Sequence, residues 1–154
     1  MPTRPVIALA VALVLLAVAS PASAALTPSE QALLRAVNAT RASRSLPALR
    51  PDATLTRAAR THSRTLLAHD VLAHGDFAAR LRRFGATYRL LGENLAWASA
   101  GAAQARAIVG MWLKSAPHRE NLLRPSFRRI GVGTAVGEFR GYGGSTVVTA
   151  DFAG

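Results

Sequence analysis

Arg129-Ile130-Gly131-Val132-Gly133-Thr134-Ala135 and, after a glycine-rich interval, Ser145-Thr146-Val147-Val148-Thr149-Ala150-Asp151-Phe152 set the end of the chain apart from everything before it. β-Branched residues alternating with small ones suit extended backbone, so both pieces read as short strands. The interval Gly137 to Gly144 reads as the loop between them. Upstream of this pair the apolar residues follow a helical period instead. Helices first and strands last make the chain α+β with a mostly antiparallel sheet.

Nearer the start of the chain, Thr27-Pro28-Ser29-Glu30 supplies a cap residue, a proline at the first helical position and a glutamate three residues after the cap, the parts of a capping box. In the helix that follows, Leu33, Val37 and the stem of Arg41 form the buried stripe, and Leu46-Pro47 ends it. After a break at Arg50-Pro51-Asp52, Leu55, Ala58, Ala59, His62, Leu66 and His69 line one side of a longer helix that ends between Asp70 and Gly75. A short basic helix runs from Phe77 to Phe84. Tyr88 to Ala96 reads as extended, and Ala102 to Lys114 as a third main helix with Ile108 and Trp112 on its core side. Pro117 to Leu123 adds one or two more turns.

The chain has 154 residues, no cysteine and a formal charge of +11. Arg4, the apolar run Val6 to Val18 and Ala22-Ser23-Ala24 have the three parts of a secretory signal peptide, so residues 1–24 are expected to be removed and residues 25–154 to form one domain. That run is shorter than the roughly 20 residues a membrane-crossing helix needs, and no transmembrane segment is expected after cleavage. The product is expected to be secreted or periplasmic, and monomeric. Taking Arg4 from the 19 Lys and Arg leaves 18 against 8 acidic residues, so the domain itself carries +10. Nucleic acid is not an expected partner of an exported protein. If Arg80, Arg82, Arg83, Arg124, Arg128 and Arg129 converge, they suit anionic cell-envelope polymers or lipid headgroups, held by salt-screened attraction.

The absence of cysteine excludes a disulfide framework, a thiolate zinc site and a cysteine nucleophile. His118-Arg119-Glu120 has the His-x-Glu spacing of zinc deaminases, whose other ligands are cysteines. Gly131-Val132-Gly133 lacks the third glycine of a dinucleotide loop, since position 136 is Val136. Gly144-Ser145-Thr146 lacks the flanking glycine of a nucleophile elbow.

What remains is a set of separated segments: Val37 to Arg41, Ala58 to Ser63, His74-Gly75-Asp76, Gly92-Glu93-Asn94-Leu95-Ala96, Trp112 to Leu123 with its Ser115-x-x-His118-Arg119-x-Asn121 core, and Ile130 to Gly133. In that order the chain resembles the bacterial branch of the CAP superfamily, the SCP-like domains related to pathogenesis-related-1 proteins, cysteine-rich secretory proteins and antigen 5, over about Glu30 to Phe152. The resemblance implies a three-layer α-β-α sandwich around a central antiparallel sheet. It also implies a cleft in which the superfamily often places two histidines and two glutamates. The matching positions are His74, Glu93 and His118, while the second glutamate falls at or near Ser115.

Two imidazoles and a carboxylate suit zinc, with His74 and His118 as candidate ligands and water completing a tetrahedron. They equally suit metal-free chemistry in which Glu93 fixes an imidazole tautomer for a base. Each also has a plainer reading: Glu93 and Asn94 satisfying backbone at a bend, His118 bridging loops, His74 as a loop histidine. His62 reads as a partly buried structural residue, His69 as solvated, and Glu120 and Asn121 as serving the short helix's own hydrogen bonds. Three functions stay open: a cleft that binds a metal ion or small ligand, a hydrolase acting on peptide or envelope material, and a lipid or sterol carrier.

Overall fold

The computed structural model describes residues 25–100 and 104–154. The expected signal peptide over 1–24 lies outside them, as do residues 101–103, where the tryptophan-bearing helix was expected to begin. In chain order the elements are α1 (Pro28–Ala42), β1 (Arg50–Pro51), α2 (Ala53–Ala68), α3 (Phe77–Arg83), β2 (Leu91–Ala98), α4 (Ala105–Lys114), α5 (Ala116–Leu123), β3 (Arg129–Phe139) and β4 (Tyr142–Ala153). Among the described residues no helix is long and apolar enough to cross a membrane.

Helix α1 starts on the capping box: Thr27 Oγ1 accepts from the Glu30 amide, and Glu30 Oε2 accepts from the Thr27 amide at 2.8 Å. Its buried face is Glu30, Leu33, Val37 and Arg41. Asp52 Oδ1 caps α2 on the Leu55 amide, and Asp76 Oδ1 caps α3 on the Ala79 amide.

The strands form one sheet in the order β1-β3-β4-β2, antiparallel except for the parallel β1–β3 pair. The Arg50-Pro51 break is therefore also a two-residue edge strand. Side chains alternate across the sheet. Ile130, Val132, Val148, Ala150 and Phe152 pack against Leu33 and Val37 of α1, Ile108 and Trp112 of α4 and Leu122 of α5. On the other face Leu95, Phe139 and Val147 pack against Leu66 of α2, and α2 and α3 join through Leu55, Ala58 and Leu81. These are the three layers of an α-β-α sandwich.

Gly131 and Gly133 make the second interface close. A Cβ on Gly131 would lie 2.1 Å from the Leu55 carbonyl carbon, and one on Gly133 would lie 2.2 Å from the Arg60 amide nitrogen. Helix α2 thus rests directly on β3, with Ser63 Oγ donating to Gly133 O at 3.0 Å and lying 2.9 Å from Thr149 Oγ1.

The loop expected across Gly137 to Gly144 is instead mostly ladder. β3 and β4 continue to the Phe139–Tyr142 pair, and only Arg140-Gly141 turns, with φ of 53° and 79°. Two left-handed residues match the right-handed twist of paired strands, so a two-residue turn suffices where the glycine count suggested a long one. An irregularity between Gly137 and Phe139 adjusts the register.

Candidate functional site

Strand β2 is an edge of the sheet, and its alternation sends consecutive residues of Gly92-Glu93-Asn94 to opposite layers. Glu93 points toward α2 and α3. Asn94 points toward α5. The candidate residues meet around this edge, one imidazole from each side.

Glu93 has no exposed side-chain surface. Its Oε1 accepts from His74 Nδ1 at 2.7 Å, and its Oε2 accepts from Arg80 Nη2 at 2.5 Å. His62 Nε2 lies 3.7 Å from Oε2, beyond hydrogen-bond range, and donates to Ala73 O at 3.1 Å. Arg80 Nη2 also donates to Asp151 Oδ1 at 2.7 Å. Asp151 is directly opposite Glu93 in the β2–β4 register, and both are buried.

His74 sits in the connection between α2 and α3, its side chain half exposed. His118 comes from the other layer. Ser115 ends α4 and precedes α5, Pro117 follows in the first turn of α5, and His118 is next. Asn94 Nδ2 donates to His118 O at 2.9 Å, and Asn121 Nδ2 donates to Glu93 O and Asn94 Oδ1 at 3.1 and 3.0 Å. The amide side chains thereby tie α5 to β2, and the rings of His74 and His118 stand 6.2 Å apart between centroids, tilted by 44°. Beside His74 a surface cavity of about 350 Å³ opens between α2 and α3, lined in part by Thr61, His62, Thr65, Arg80 and Arg83.

Burial lowers the pKa of all three imidazoles. His62 falls to about 4, with Arg80's charge adding to desolvation; His74 falls for the same two reasons, and His118 through burial and then the neighbouring His74. The rings are neutral at pH 7, the state that a ligand or a base needs. Burial pushes the Glu93 carboxyl up to about 7 against the pull of Arg80. Burial also raises Asp151 well above the usual carboxylate range, Arg80 opposing and Glu93 adding to the rise. One guanidinium faces two carboxyls whose ionisation burial opposes, so the net charge of the buried cluster is kept low.

His74, Glu93 and His118 are thus brought together. Two other expectations need correcting. Arg80 is not exposed for a surface patch; it is buried beneath Glu93, because it shares the side of α3 that carries Phe77, Leu81 and Phe84. Arg124 stays partly exposed and pairs with Glu120 four residues earlier. Asn121 bonds β2 rather than its own helix. His62 is partly buried as expected, but it lies against the Glu93 carboxylate.

The residues that sequence reasoning missed at the site are Arg80 and Asp151. A signal existed for each. Asp151 alternates with Val147 and Thr149 in a strand whose inward face they share, and an acidic residue at an inward position calls for a buried cation. Arg80 lies three residues after Phe77 and four before Phe84, on the apolar side of its helix.

A three-layer α-β-α sandwich of this kind is the fold of the SCP-like domains. The chain belongs to the CAP family, the Cysteine-rich secretory protein family, which it matches over residues 34–152. It is 32% identical over 109 residues to an uncharacterized protein, YkwD, of Bacillus subtilis (strain 168), spanning 68% of this chain and 41% of YkwD. Among solved structures it is similar to an extracellular protein containing a SCP domain from Bacillus anthracis, with 27% identity and a TM-score of 0.67, over 84% of this chain and 44% of that one. An outer surface protein of Borrelia burgdorferi shares the fold at 20% identity and a TM-score of 0.68, over 80% of this chain and 90% of that protein. The chain thus spans less than half the length of the two Bacillus relatives.

Proposed function

We propose that the chain is an exported CAP-domain protein whose His74–His118 pair binds a borderline divalent cation, with zinc the best match. The observation that carries this is the 2.7 Å bond from His74 Nδ1 to Glu93 Oε1. With its proton on Nδ1, His74 keeps the lone pair on Nε2, and a carboxylate behind an imidazole raises its basicity as a ligand. Neither His74 Nε2 nor either ring nitrogen of His118 has a hydrogen-bond partner among the described residues.

Two imidazoles on one zinc at about 2.0–2.1 Å have ring centroids about 5 to 6 Å apart. The observed 6.2 Å lies just beyond that span, and a small rotation of the half-exposed His74 would bring the rings into range. Glu93 is not free to be a third ligand, because both its oxygens are taken. Among the described residues no group of three or more His, Asp or Glu is arranged for a metal, so the protein offers a pair. Bound there, zinc supplies a Lewis-acid centre with open positions. The signal-peptide pattern of residues 1–24 and the extracellular relatives support export.

Calorimetric zinc titration of the purified protein tests the site. Uptake is expected in the wild type and lost in His74→Ala and in His118→Ala; unchanged uptake in the double variant sinks the reading. A carrier role would rest elsewhere, on a cavity of about 350 Å³ between α1, α4 and the sheet, lined in part by Leu33, Ile108, Val136 and Val148. Fatty-acid binding by the double variant, with no zinc uptake by the wild type, would move the function there.

A further inference from the structure

We propose that Arg80, itself held by Asp151, is the positioning residue that aims Glu93 at His74 and so decides which nitrogen of His74 is offered to the cleft. Its consequence for metal binding rests on the imidazole-pair reading above; the geometry does not.

A glutamate side chain has several rotatable bonds, and a carboxylate presented to an imidazole must be held by something else. Of the groups around Glu93, Arg80 binds Oε2 at 2.5 Å and leaves Oε1 for His74, while His62 at 3.7 Å is too distant to hold either. A carboxylate is planar, so anchoring one oxygen fixes the plane in which the other lies. The anchor is in turn fixed from a second strand. The same Arg80 Nη2 that reaches Glu93 reaches Asp151 Oδ1 at 2.7 Å, and Glu93 and Asp151 are register partners across β2 and β4. A slip of one residue would carry Asp151 to the opposite face and release the guanidinium.

Stability alone does not account for Asp151. A buried carboxylate–guanidinium pair gains little over an apolar pair of similar volume, because both charges lose their water. This cluster is also incompletely satisfied, since Asp151 Oδ2 and Arg80 Nε are buried without partners. Asp151 bonds neither histidine of the cleft. What it does contact is the head of Arg80, and the effect is to hold that head between two strands beneath Glu93. The chain Asp151, Arg80, Glu93, His74 therefore runs from the sheet interior to a half-exposed ring, each member fixing the next.

The tautomer of His74 reports this directly, without metal, in two-bond nitrogen–proton correlation spectra of the ¹⁵N-labelled protein. In the wild type His74 is expected with its proton on Nδ1. In Arg80→Gln the population shifts toward the Nε2-protonated form, and zinc affinity on the same sample falls about 10- to 100-fold, the usual effect of losing a partner behind a ligand. Arg80→Lys restores part of both. Asp151→Leu, which keeps the branching at Cγ and removes the acceptor, gives a shift in the same direction of smaller size.

If Arg80→Gln does not give a dispersed spectrum, Arg80→Lys and Asp151→Leu carry the test. An unchanged His74 tautomer in the folded variants overturns the proposal, as does a change produced by His62→Gln and not by any variant of Arg80. The two readings fail separately: a wild type that takes no zinc but shows the Arg80-dependent tautomer removes the metal and keeps the positioning. Zinc binding that needs His74 while its tautomer ignores Arg80 does the reverse.

Discussion

Two arginines are buried on opposite faces of the sheet, and the fold treats them differently. Arg41, on α1, is fully buried and donates to main-chain carbonyls: Pro47 O and Leu122 O at 2.8 Å, Arg124 O at 3.2 Å and Phe127 O at 3.4 Å. It ties α1 to the end of α5 and to the approach to β3. Arg80, on α3, donates to two carboxylates. Carbonyls do not titrate and carboxyls do. A buried cation caged by carbonyls is a fixed structural joint, whereas one caged by carboxyls belongs to a cluster whose charge varies with pH and whose far end reaches a functional imidazole.

The largest expected effect is on Arg41. Arg41→Met removes donors from carbonyls in the least exposed part of the molecule and is expected to lose about 3–5 kcal/mol in urea unfolding. The loss should be the same from pH 5 to 8. A loss that varied strongly with pH would make the two arginines alike.

Arg80→Gln should behave oppositely. The folded pKa values of Glu93 and Asp151 are already raised above their ordinary 4.5 and 3.8, and losing Arg80 raises them further. Above those ordinary values the unfolded chain gives up protons that the folded variant keeps, so the variant's stability falls as pH rises, by up to about 1.4 kcal/mol per pH unit for each proton. A cost flat across pH 5 to 8 would show that the carboxyls stay charged without their partner.

The smallest effect belongs to His62. Its folded pKa of about 4 lies below the ordinary 6.5, so between those values the unfolded chain binds a proton that the folded chain does not. This contribution is complete above pH 6.5 and is lost as pH falls toward 4. His62→Gln should flatten that part of the stability curve. An unaltered slope would mean that the ring charges in place.

The layers were legible because burial follows period. Leu33, Val37, Ile108 and Trp112 recur at helical spacing, and β3 and β4 show their β-branched pattern. His74, Glu93 and His118 were legible only through resemblance, since no local spacing joins residues on a helix connection, an edge strand and a short helix. Arg80 and Asp151 are 71 positions apart and meet only when α3 docks on the sheet, so neither advertises the other. The turn at Arg140 was hidden for another reason: arginine seldom adopts a left-handed φ, and here the twist of two long strands imposes one.

The way β2 is covered has a consequence for solubility. An edge strand offers unpaired carbonyls and amides to any other extended chain, and aggregation begins on such edges. Here Asn121 takes the carbonyl of Glu93, and Trp112 Nε1 takes that of Leu95 at 2.9 Å. The opposite edge, β1, is two residues long and contains a proline. The amide that ties α5 to the strand of the cleft therefore also denies the sheet a further strand.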